Sequence, residues 1–87
     1  MDLKKAEKSI DQIIKILNKN KLDKEEFVAV LAHVIYSAGI IFSQRDSKNI
    51  DIDTVVKDYE TKPTIGDALI LQGINMKNWL FNMRRTT

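Results

Sequence analysis

The stretch from Phe27 to Phe42 limits the fold more than any other part of this chain, because it is apolar on nearly every face of a helix. Phe27, Leu31, Val34, Ile35, Ala38, Ile41 and Phe42 recur at helical spacing, while Val28, Val30 and Ile40 put further apolar surface on the remaining sides. Such a helix has to be covered on most sides, either as the central helix of a bundle or as a seam between copies. Between Val28 and Phe42 it carries His33, Tyr36 and Ser37 and stops short of the roughly 20 apolar residues a membrane span needs, so the expectation is a core helix and no membrane partner. Its start is well specified. Asp23 and Glu26 have capping-box spacing, and Leu22 and Phe27 stand where a hydrophobic staple would join them.

Upstream, Leu3, Ala6, Ile10, Ile13 and Leu17 follow a three-four spacing, with Ile14 and Ile16 widening the stripe and charged residues opposite. This predicts a first helix ending near Asn18 to Lys21, where the asparagines suit a left-handed cap and the lysines suit the negative end of the helix dipole. Residues 1–45 therefore read as a long antiparallel helical hairpin. Polar residues from Arg45 to Asn49 form a loop, and 50–60 read as a short helix capped by Asp51 or Asp53. Pro63 forces Lys62 into an extended conformation and breaks the chain before Thr64. The fold class is all-α: a single domain over 1–87, a small bundle of four to five helices with shorter C-terminal helices packed on the hairpin.

Size makes one core the ceiling at 87 residues, and a core this small often supplies only about 3–5 kcal/mol, so sharing an apolar face with another copy is expected. There are no cysteines, which removes disulfides, thiolate metal sites and thiol nucleophiles. The first residues alternate charges where a signal peptide would be apolar, so the expected location is cytoplasmic. A formal net charge of +2 conceals an acidic segment over 46–60 and a basic excess over 61–87, carried by Lys62, Lys77, Arg84 and Arg85 against Asp67. That excess is far below the dense patches of committed nucleic-acid binders.

From Thr64 to Arg85 the sequence reads TIGDALILQGINMKNWLFNMRR. Thr64 and Asp67 cap a first helix, Ala68 and Leu69 lie near its middle, Gly73-Ile74-Asn75 supplies a turn, and Trp79 packs a second helix. Over 64–85 the chain thus resembles a helix-turn-helix unit of the DNA-binding kind. The resemblance implies that Asn75, Lys77 and Asn78 face bases or phosphates, with Arg84 and Arg85 on the nucleic-acid backbone. A different frame buries Trp79, Leu80 and Met83 together and makes the same segment the closing hairpin of the bundle.

No enzyme template survives. His33 lacks a nucleophile and an orienting acid at any signalled spacing, so it reads as a packed or interface residue. The aspartates at 46, 51, 53 and 58 lack the glycine and distant glutamate of a calcium loop and read as helix caps. No metal and no cofactor are expected. Gly39 costs about 1 kcal/mol inside a helix and asks for a close helix crossing. The expected protein interface comprises Leu31, Val34, Ile35, Ala38, Gly39, Phe42, Trp79 and Phe81.

The first functional expectation is a non-enzymatic binding or regulatory protein acting through protein contacts, as a homodimer or larger assembly with an unidentified protein partner. The abundance of Lys, Ile and Asn is similar to that of small accessory proteins of phages and plasmids. A second reading is a DNA-binding regulator using 64–85. A third is a small anionic ligand held at Thr64 to Asp67 or between protomers.

Overall fold

A computed structural model describes residues 1–86, with side chains described for 1–82. The described chain is all-helical, with four helices: α1 (Leu3–Lys19), α2 (Lys24–Ser43), α3 (Ile52–Thr61) and α4 (Ile65–Thr86).

Each start has a chemical cause. The Asp2 side chain accepts from the Lys5 N–H at the head of α1. At α2 both legs of the capping box form: the Glu26 N–H donates to Asp23 Oδ1 at 2.8 Å and the Asp23 N–H donates to Glu26 Oε1 at 3.0 Å. Of the two aspartates expected to cap α3, Asp51 does so, accepting from the Asp53 N–H and from the Thr54 hydroxyl. Thr64 Oγ1 accepts from the Asp67 N–H at 3.2 Å and opens α4 after Pro63. The left-handed residue after α1 is Lys21, with φ 51°, rather than either asparagine; Asn20 stays right-handed.

The chain closes on α2 and α4, which run antiparallel in intimate contact. Ser43 lies against Gly66, Gly39 against Gly66 and Ile70, and Ala32 and Tyr36 against Gly73. A Cβ on Gly39 would stand 2.6 Å from the Ile70 backbone nitrogen and 2.7 Å from the Gly66 carbonyl oxygen. At Gly66 it would stand 2.6 Å from the Ser43 nitrogen, and at Gly73 2.8 Å from Tyr36 Cβ. All three glycines of the chain therefore lie in one helix seam, where backbone meets backbone with no room for a side chain. Val55 of α3 and Ile70 of α4 are the largest fully buried side chains, with Ala32 and Leu80 completing the described core.

This geometry corrects the reading of 64–85. Gly73 is no stop and Asn75 no cap, because α4 runs unbroken from Ile65 to Thr86 and no glycine takes a positive φ. The glycine that looked like punctuation is there for close approach to α2. A steep two-helix unit with a Gly73–Asn75 turn is absent.

The N-terminal half also differs from the expected hairpin. The extended contacts among described residues join α2 to α4 and α3 to α4, while α1 makes none of comparable extent and buries none of its residues. The particle is flat and open, with extents of 42 × 40 × 21 Å. Its radius of gyration is 14.9 Å, against about 12 Å for a compact domain of this length. Because the capping box starts α2 at Lys24, that helix is 20 residues long, with a mean hydropathy of 1.7 in its most apolar window. By length and composition alone it could cross a membrane.

Candidate functional site

On α2 the face turned to α4 and the face turned away are built from different residues. Inward stand Ala32, Tyr36, Gly39 and Ser43. At 100° per residue, Phe27, Val30, Val34 and Ile41 fall on the opposite side. They are exposed there, Val34 at 55% and Ile41 at 71%, with Phe42 at 66% on the flank. Along α1, Leu3, Ile10, Ile13, Ile14 and Ile16 are likewise exposed, none below 48%. Isolated exposed apolar residues need no explanation, but two helix-long stripes of them do.

The magnitude can be judged from area. A compact monomer of 10.0 kDa exposes about 5,200 Å². This chain exposes 7250 Å², so about 2,000 Å² stays open that folding would ordinarily close.

A second concavity lies at the other end of the α2–α4 pair. Val28, Gln72, Asn75, Met76, Asn78, Trp79 and Asn82 line a groove of about 650 Å³, and a smaller one of about 400 Å³ adjoins it, formed by Leu22, Asp23, Lys24 and Phe27 with the shared Val28 and Trp79. Trp79 is more than half exposed between them.

Of the residues expected at a protein interface, Val34, Phe42, Trp79 and Phe81 lie at the surface, and Leu31, Ile35 and Ala38 are half-buried on the flanks of α2. Gly39 is consumed by the internal seam. Of the residues expected at DNA, Asn75, Lys77 and Asn78 are exposed on α4. The two asparagines open into the Trp79 groove, whereas the Lys77 ammonium sits 4.6 Å from the centre of the Tyr36 ring. The side chains of Arg84 and Arg85 lie outside the described residues, as does that of Met83.

Arg45, placed by sequence in a polar loop, joins three elements. Following α2, it donates from Nε and Nη2 to the two oxygens of Asp67 at 2.8 and 3.0 Å, and from Nη2 to Asp58 Oδ2 at 2.7 Å. Asp67 is buried, and the fork-like pairing with Arg45 holds its carboxyl below the usual range against the opposing effect of burial. The same pairing, with Asp67 first and Asp58 second, pushes the guanidinium of Arg45 still higher. At the start of α4, one of the places considered for a small anionic ligand, Arg45 is thus already engaged by the chain's own carboxylate. The surrounding concavity, lined by Lys57, Thr61, Lys62 and Thr64, also contains Asp58. The cue for this joint was the lone acid at 67 on a helix start, but nothing in the sequence spacing tied it to Arg45 across α3.

Among the described residues no group of three or more histidine or acidic side chains is placed to hold a metal ion. His33 is exposed on α2, between its two faces. The arrangement defines a small helical protein with a conspicuous apolar surface. No protein family matches the chain, nor does any curated protein or solved structure.

Proposed function

We infer that this chain is a non-enzymatic binding protein that works through protein contacts and assembles with further copies of itself. The observation that carries this reading is the pair of open apolar stripes on α1 and the outer face of α2, in a chain that leaves about 2,000 Å² more surface open than a compact monomer would. Four described apolar residues in the core, two of them large and fully buried, are little for a chain of this length. Covering the stripes supplies the missing burial. Two chains that cover both stripes would bury about 2,000 Å² in total, the size of a stable specific interface.

Solution mass by sedimentation or light scattering, run across a wide concentration range, tests the reading. A dimer or larger species whose dissociation is accompanied by loss of helix is expected. A strict monomer that stays fully helical at high dilution, and binds no apolar dye, would overturn it.

A further inference from the structure

The stripes on α1 and α2 have the same design. On α1, Leu3, Ala6, Ile10, Ile13 and Leu17 are separated by steps of three, four, three and four. On α2, Phe27, Val30, Val34 and Ile41, with the small polar Ser37 between the last two, are separated by the same steps in the same order. Each stripe is about 21 Å long. Equal length and matched three-four spacing are what two helices need to interlock side chains along a common seam. Yet in this chain the two do not lie together: α1 has no extended contact with α2 and buries nothing.

Charge adds a direction. Lys21 stands just past the end of α1, and Asp23 and Glu26 at the start of α2, whereas Lys15 and Lys19 share the far face of α1 with Lys8. Antiparallel docking brings Lys21 and these acids together at one end and sets the helix dipoles against each other. It also pairs Leu3 with Ile41, Ile10 with Val34 and Leu17 with Phe27.

We propose that α1 of one chain docks antiparallel on the outer face of α2 of a second copy, reciprocally, so that the protein is a two-fold dimer built by arm exchange. This rests on the reading of the chain as self-assembling, and names the surface and its occupant. Each protomer's α2 is then covered on both sides, by its own α4 through the glycine seam and by the partner's α1 through large residues. The contact is isologous and closed, which limits assembly to two copies.

The absence of cysteine makes the test clean. Chains carrying Ile10→Cys and chains carrying Val34→Cys, one of them enlarged by a tag, are mixed, oxidised and separated without reductant, after circular dichroism has shown native helix content. The mixed disulfide between the two chains is the expected dominant product, and it disappears when Lys8→Cys, on the opposite face of α1, replaces Ile10→Cys. Leu17→Cys should likewise couple to Phe27→Cys of the other chain and not to Ile41→Cys; the reverse preference would overturn the antiparallel docking. A dimeric mass with no Ile10–Val34 coupling would overturn arm exchange while leaving self-assembly standing. A monomeric mass, with the double variant Ile10→Cys/Val34→Cys closing inside one chain, would overturn both and establish a closed hairpin instead.

Discussion

The two faces of α2 follow opposite rules. Toward α4 the helix presents Ala32, Gly39 and Ser43, and the seam they make is so close that a single added carbon would strike backbone. Away from α4 it presents Phe27, Val34 and Ile41, all exposed. These large apolar residues of α2, which hydrophobicity alone would assign to the core, are left uncovered. Where the backbones meet at glycine distance there is no volume for a side chain, and the large residues of the seam, Tyr36 and Ile70, stand beside the glycines rather than in their place. What distinguishes the internal seam from the external surface is the glycine at each point of closest approach, not apolarity.

Changes on the closed side should therefore damage the fold itself, at any protein concentration, and changes on the open side should matter through assembly. The largest effect is expected at the joint that fastens α3 and α4 to the end of α2. Arg45→Met leaves the buried Asp67 carboxylate without its partner, and a loss of about 3 kcal/mol in urea unfolding is expected. Adding Asp67→Leu should recover most of it, since the penalty belongs to the stranded charge rather than to the lost pair. Gly39→Ala comes next. Alanine gains about 1 kcal/mol of helix propensity, so a net loss of about 1–2 kcal/mol is expected once the backbones are forced apart. A small truncation on the outer face gives the contrast: Val34→Ala should change the stability of the dissociated chain by less than about 0.5 kcal/mol while weakening association. If Gly39→Ala proved neutral and Val34→Ala damaging in the dissociated chain, the assignment of the two faces would be inverted.

How far the sequence could carry this is visible in the same elements. Local signals were legible: the capping box at Asp23 and Glu26, the Asp51 and Thr64 helix starts and the break at Pro63 all depend on residues within a few positions of one another. Gly39 was legible too, as a demand for a close crossing. Gly73 was not, because a glycine in a helix looks the same whether it ends the helix or admits a neighbour, and only the presence of Tyr36 and Ala32 across the seam decides. The hairpin of α1 on α2 was expected because matching stripes adjoin in sequence. Adjacency says that two stripes suit each other, but not that they belong to the same copy. Arg45 was overlooked for a related reason: its partners lie 13 and 22 residues away, a separation that no spacing rule reads.

Acid should sharpen the contrast without any substitution. The folded chain holds Asp67 below its ordinary value of 3.8, so it binds that proton less readily than the unfolded chain does. The stability this contributes is complete above about pH 4 and is lost as pH falls through the depressed value in the folded state. Thermal unfolding of the dissociated protein should accordingly be level from neutral pH to about pH 5 and decline below about pH 4. The decline should be shallower in Arg45→Met, where the carboxyl is no longer held down. Equal slopes in the two proteins would mean that some other carboxylate governs the acid limb.

The smallest effect is expected at Lys77, and it bears on the resemblance that the continuous α4 displaced. In a helix-turn-helix unit this lysine would reach a phosphate. Here its ammonium lies over Tyr36, beside the place where Gly73 meets α2, so the side chain lies along the internal seam. An exposed contact of this kind contributes about 0.5–1 kcal/mol, and Lys77→Gln should lower the stability of the dissociated chain by no more than that. In a Tyr36→Leu background, whatever that change costs in seam packing, Lys77→Gln should be silent, because the lysine acts through the Tyr36 ring. A fall in duplex-DNA affinity, with a flatter salt dependence, in Lys77→Gln but not in Tyr36→Leu would instead assign the charge to phosphate. Stability coupling between the two positions without such a fall would place Lys77 with the closed side of the molecule.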